Sequence, residues 1–388
     1  MTALDETTRR AATSRAAAPS RWLRIALPSA AIWALTYLGL GIAWLAGAGG
    51  NPYDPAVDDS VEAALLGTWS PQTAAAILTA LAGLGVLTVA AIAALPPGSG
   101  PAGRLRRAAT MLALGIGLVL AVVLPDYRLL ATIAYMPILL VMAIFGSGPD
   151  GVAIWTWPVV NMAVLSVAGL AFVLSAVRAR RQDAGACLDC GRSARIRSWA
   201  TPERAARWGR GATALAVAIP VGYAVTRFAW AFGIPLGVSQ ELLDELGNGV
   251  WAGAGLATLA VGGAVLTLGL VQRWGETFPR WMVGLAGRRV PAALAVVPAS
   301  IVSAVVTSAG LMFLRFGING EFAANFPGEN LDIAAWLPEM FWPLWGAALA
   351  TATYAYWLRR RGTCDRCGHD RLREQVDPAD GRSAGAER

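Results

Sequence analysis

The sequence predicts an all-α membrane protein: about eight transmembrane helices in two parallel four-helix repeats, plus one short re-entrant or interfacial segment. Three observations predict it. Hydrophobic residues make up 56% of the chain and charged residues 15%, with a mean hydropathy of +0.51, outside the range of ordinary soluble domains. Several apolar runs exceed the ~20 residues needed to cross a hydrocarbon core of ~30 Å. The chain's only four cysteines fall in two matching turns, Cys187-Leu-Asp-Cys-Gly191 and Cys364-Asp-Arg-Cys-Gly-His369.

Taken in order, residues 1–20 are polar and rich in Ala, Thr and Arg, and read as a disordered cytoplasmic tail. The first apolar run, Ile25–Gly47, has 23 residues. That is too long for the apolar core of a cleaved signal peptide, so it reads as a retained span. The further spans are Thr73–Leu95, Ala108–Leu124, Ala153–Val177, Ala212–Gly233, Val250–Val271, Pro291–Phe313 and Ala335–Leu358. A shorter run of 17 residues, Leu129–Phe145, carries Pro137 at its middle.

Arginine bias at span ends sets orientation, and it decides how to treat this short run. All 32 basic residues are arginine. If Leu129–Phe145 does not cross, 29 of the 32 lie on one side, which is then the cytoplasm. Leu129–Phe145 is therefore expected to be a re-entrant or interfacial hairpin on the outer side, and both termini are expected inside the cell membrane. The acids agree, since Asp54, Asp58, Asp59, Glu62, Glu241, Asp244 and Glu245 all fall outside on this arrangement. The bilayer is the first partner implied, and so basic a cytoplasmic face attracts anionic lipids. Nothing points to nucleic acid, and no protein partner is legible.

Four matches in the same order argue for a duplication. Tyr37 and Trp44 match Tyr223 and Trp230; Ala102-Gly-Arg104 matches Ala286-Gly-Arg288; Trp157-Pro158 matches Trp342-Pro343; and each half ends on arginines and Cys-x-x-Cys-Gly. The units are then 21–177 and 212–358, joined by a cytoplasmic linker, 178–211, and followed by a tail, 359–388. Small residues at four-residue spacing (Gly39, Ala43, Gly47 and Gly249, Gly253, Ala257) predict close helix packing in lipid. Trp22, Trp69, Trp155, Trp251, Trp274 and Trp281 lie near span ends, as in an interfacial belt.

The run from Tyr223 to Gly233, followed by Ile-Pro-Leu-Gly, resembles a group of actinobacterial multi-pass membrane proteins of unknown function. Arg273-Trp-Gly-Glu-Thr-Phe-Pro-Arg-Trp281 is similar to theirs as well. The resemblance covers mainly the second half and implies no activity, substrate or site residue.

The chemistry-bearing residues are few. Cys-x-x-Cys-Gly is a turn that presents two thiolates to one metal, and two such turns complete a tetrahedral four-thiolate site. A parallel duplication puts both turns at one membrane face, so Cys187, Cys190, Cys364 and Cys367 are the candidate ligands of a structural zinc ion. Thiol redox chemistry is the competing reading, and His369 is a spare ligand. Arg227 is the one charge clearly inside a span. Such charges suggest an anion site or a polar pathway, making it a candidate substrate-binding residue; snorkelling outward or pairing with Glu241 are the structural alternatives. The acids at 54, 58, 59 and 62 read as a solvated loop. Gly247-Asn-Gly-Val-Trp-Ala252 follows no strand and is not a dinucleotide site. With no lysine and one histidine, no catalytic constellation is found. Two functions remain: a scaffold, sensor or assembly protein clamped by zinc, and a transporter of a small anionic solute.

Overall fold

Proline and hydroxyl caps set where several helices begin. Ser70 accepts a hydrogen bond from the Thr73 N–H ahead of Pro71, and Thr201 accepts from Arg204 N–H ahead of Pro202. A side-chain acceptor followed by a residue lacking an N–H fits the first helical turn, whose donors are otherwise unpaired. In the computed structural model, residues 21–58, 60–144, 156–193, 198–320, 332–361, 364 and 367 are described. The predicted tail 1–20, the start of the predicted fourth span with Trp155, and the C-terminal tail with His369 lie outside them.

The described helices are α1 (Arg21–Leu45), α2 (Pro71–Ala94), α3 (Pro101–Leu118), α4 (Tyr127–Ile144), α5 (Trp157–Asp183), α6 (Pro202–Ala231), α7 (Gln240–Leu246), α8 (Val250–Leu268), α9 (Ala292–Ile318), α10 (Leu337–Met340) and α11 (Trp342–Arg360). The described residues contain one isolated bridge, Thr277 with Arg289, and no longer strand. The protein is an all-α membrane protein. Seven helical segments are long and apolar enough to cross a bilayer, and they match the first seven predicted spans in order. The eighth prediction falls on α11, whose 19 residues make about 28 Å of helix. Its tryptophans, tyrosines and threonines lower its hydropathy. Trp342, Thr353 and Tyr356 are nevertheless buried, because α6 and α9 cover them.

Within the first unit, α1 packs on α2 and α5, and α3 packs on α5. Within the second, α6 packs on α8 and α11, and α9 packs on α11. The closest approaches occur at glycines. A Cβ on Gly117 would lie 2.7 Å from the Gly169 carbonyl oxygen, and one on Gly169 would lie 2.5 Å from that of Gly117. In the second unit a Cβ on Gly310 would meet Pro343 at 2.4 Å. Neither contact falls on the small-residue stripes read from the sequence. Gly39 and Gly47 have no neighbour within 4 Å, and the tight contact of α1 is at Gly41, against Thr79.

The Leu129–Phe145 run, whose last residue lies outside the described ones, is a continuous helix from 129 to 144 through Pro137 rather than a hairpin. Proline interrupts a helix less in a membrane bundle, where neighbouring groups take up the freed carbonyl. The first turn of α4 is wedged between the units, with Leu129 packed on Met162 and Val305. A π turn at Val119–Val123, which prolongs α3, also packs on α9. Here the Ser308 hydroxyl donates to the Pro125 carbonyl at 2.6 Å. Arg315, at the end of α9, donates to the carbonyls of Ala63 (2.8 Å) and Glu62 (3.3 Å). These bonds tie the second unit to the first at the end of the bundle away from the cysteines.

Candidate metal centre

Each cysteine turn follows the last helix of its unit after a sharp exit. At the end of α5 the Ala186 N–H returns to the Arg181 carbonyl (2.8 Å), and Gly185 takes a φ of +58°, which a Cβ disfavours. The chain then doubles back: Gly191 N–H donates to the Cys187 carbonyl, and Cys187 N–H to the Arg192 carbonyl, both at 2.8 Å. Gly191 sits at φ +70° under the Arg181 guanidinium, where an added Cβ would stand 3.2 Å from Nε. Glycine is required there twice over, by backbone and by space. In the second unit α11 ends at Arg360 and Arg361 is extended, and Cys364 lies beside the first turn.

The four sulfur atoms lie within 4.8 Å of one another. Across the units Cys187 Sγ is 3.9 Å from Cys364 Sγ, and Cys190 Sγ is 3.6 Å from Cys367 Sγ. A tetrahedral ion with metal–sulfur bonds of about 2.3 Å needs sulfur–sulfur edges of about 3.8 Å. The residues present therefore fit a four-thiolate metal ion. All four are half-buried.

The surroundings suit that charge. Arg181 Nη1 donates to the carbonyls of Leu188 (2.5 Å) and Asp189 (3.1 Å). Arg361 Nη1 donates to the Cys190 carbonyl at 3.2 Å, and Arg192 Nη2 to the Arg361 carbonyl at 2.8 Å. Arg361 also stacks on Trp357, 4.7 Å from the ring centre. Three guanidinium groups thus hold the loop carbonyls outward while their charge offsets the double negative charge that four thiolates leave on a divalent ion. Burial pushes the Cys190 thiol up to about 12, with the Cys367 and Cys187 sulfurs adding to it and the Arg192 N–H opposing it. A bound cation reverses that balance and keeps the sulfurs ionised. Arg181, Arg192 and Arg361 were not legible as parts of the site, since the sequence offers arginines throughout this region.

Arg227 lies elsewhere, at the opposite end of the second unit. It is buried and ion-paired with Glu339, not with Glu241, and it does not snorkel. Its guanidinium also donates to the carbonyls of Ala334 (2.9 Å) and Ala335 (3.0 Å). The rings of Trp230 and Tyr223 cover it at 4.2 and 4.6 Å. Glu339 stands where an anionic ligand would stand, and the short turn Ile333–Ala335 before α10 supplies the remaining acceptors. The signal for this pair was the position of Glu339 just inside the outer end of the last predicted span, on the side towards which Arg227 lies.

In the acidic loop Asp58 pairs with Arg128, which also pairs with Asp126 at 2.7 Å. Burial raises the Asp58 carboxyl, but hydrogen bonds from Ser60 and the Arg128 charge outweigh it and hold the group below its ordinary value. Asp54 turns instead to the Ala56 N–H at 3.0 Å. The loop is thus tied through Asp58 to the start of α4 rather than simply solvated.

No protein-family model matches the chain, and neither a curated protein nor a solved structure does.

Proposed function

We infer that the protein is a membrane scaffold, sensor or assembly protein of the cell membrane, built from two duplicated units that a structural zinc ion joins on the cytoplasmic side. One observation carries the reading: two Cys-x-x-Cys turns far apart in sequence bring four sulfurs within 4.8 Å, each turn leaving the last helix of its unit. The shared packing order of the two units supports the duplication. Zinc suits the donor set because four thiolates at tetrahedral spacing favour a soft or borderline ion. The resemblance of residues 223–237 and 273–281 to actinobacterial multi-pass proteins belongs to this reading and adds lineage only. The transporter reading gains nothing from Arg227, whose charge Glu339 already answers.

The test is metal analysis of the purified full chain. About one zinc per chain is expected, falling towards zero in both Cys187→Ser/Cys190→Ser and Cys364→Ser/Cys367→Ser, because two thiolates alone make a poor site. Full zinc in either double variant would refute the joint site.

A further inference from the structure

The connection from α8 to α9 is a small hairpin fixed at its base and bare at its tip. Phe278 N–H donates to the Arg288 carbonyl, Gly287 N–H to the Phe278 carbonyl and Val290 N–H to the Glu276 carbonyl, each at 3.0 Å. The end of α11 straps this base down. Tyr356 Oη donates to the Gly275 carbonyl at 2.6 Å. Arg359 pairs with Glu276 at 3.2 Å and also donates to the Leu270 carbonyl, while Arg360 donates to that of Val290. The hairpin is therefore held against the same helix end that leads into the second cysteine turn.

Its tip carries large apolar side chains that nothing among the described residues covers. Trp281 is 76% exposed and Val283 96%, the highest value among the exposed large hydrophobic residues, with Leu285 exposed beside them. Around them Arg273, Arg280, Arg288 and Arg289 are all exposed. The segment's only acid, Glu276, is taken by Arg359. Tryptophan and aliphatic side chains ringed by arginine are the composition of a segment lying in the headgroup region of a membrane. Position agrees. The hairpin links the ends of two apolar helices, so its base sits at the bilayer boundary. Trp281 is five residues beyond Glu276, a reach of at most ~17 Å.

We propose that this tip inserts into the adjacent leaflet of the membrane that holds the protein, with Trp281 and Val283 among the upper acyl chains and Arg280, Arg288 and Arg289 on anionic lipid phosphates. The surface so defined anchors the knuckle end of α11 to lipids of negative charge.

Hydroxyl-radical footprinting of the full chain in nanodiscs tests this. Oxidation of Trp281 and Met282 is read by mass spectrometry in phosphatidylcholine alone and with phosphatidylglycerol added. Oxidation is expected to be several-fold slower in the anionic bilayer than in detergent. Val283→Asp should restore the detergent rate, and it has no packing to lose. Arg280→Gln/Arg288→Gln/Arg289→Gln should abolish the difference between the two bilayers. Equal oxidation in detergent and both bilayers would overturn the proposal. So would protection that appears in detergent and grows with protein concentration, which would assign the tip to a second copy of the chain.

Discussion

The two ends of the bundle join the same two units by different physics. At the cysteine end the tie converges on one point, where four sulfurs from the exits of α5 and α11 surround a space fit for one ion. At the other end it is spread over ordinary contacts: Ser308 to Pro125, Arg315 to Ala63, and Leu129 between Met162 and Val305. A spread tie loses its parts one by one. A tie converging on an ion is held or lost as a whole, and depends on metal supply and pH.

The largest effect should come from breaking the point tie. Structural zinc contributes on the order of 10 kcal/mol in isolated finger peptides. Chelation, or Cys187→Ser/Cys190→Ser, should therefore free the cysteine turns while the helices persist. Limited trypsin digestion reads this directly, because Arg192 and Arg361 lie in the turns. Rapid cleavage there after chelation is expected, and a pattern unchanged by chelation would count against the clamp. Acid should act in the same direction. A thiol that holds its proton to about 12 without a cation, as Cys190 does, must release it when metal binds at neutral pH. Metal retention should then rise with pH and fall as pH drops from 8 towards 5, measured as zinc released.

A second test sharpens the contrast from within one unit. Removing one member of a buried ion pair typically costs about 3–5 kcal/mol, because the other charge is left without a partner. Glu339→Ala should therefore lower the thermal unfolding temperature markedly while leaving zinc content alone. Glu339→Gln, which keeps a hydrogen-bond acceptor for Arg227, should cost less.

The smallest effects should come from the spread tie. Arg315→Ala removes charge-assisted bonds worth about 1.5–3 kcal/mol, and Ser308→Ala a single interhelical bond of about 1 kcal/mol. Each should leave the trypsin pattern at Arg192 and Arg361 unchanged. Cleavage at the turns in Ser308→Ala would show that the two ends are coupled rather than independent.

The cysteine site was legible because thiols are scarce here and their spacing alone defines the turn. The expected same-orientation duplication predicts both turns on one face without any structure. Glu339 was harder to read, since the residue that answers Arg227 lies 112 positions away, while Glu241 is near Arg227 in sequence; only its place inside the last predicted span set Glu339 apart. The short run at 129–145 was read as a hairpin because the arginine count argues against a crossing, and that count says nothing of whether the chain stays helical through Pro137, as it does. The strap from Tyr356, Arg359 and Arg360 to the α8–α9 hairpin had little sequence signal, for apart from Glu276 its acceptors are backbone carbonyls. The close contacts at Gly117, Gly169 and Gly310 escaped notice for a similar reason: in a chain with 43 glycines, only the crossing geometry singles out those that matter.

The separation of the two cysteine turns along the chain sets an order of events during synthesis. Cys187 and Cys190 emerge once α5 is made, and for the whole of the second unit they form an incomplete pair. Cys364 and Cys367 follow only after α11. A growing chain therefore cannot close the site early, and a chain whose second unit inserts in the wrong orientation cannot close it at all. Metal capture by the four thiolates would then report that the second unit has brought its turn back to the face of the first, a check on membrane insertion set by the spacing of four residues.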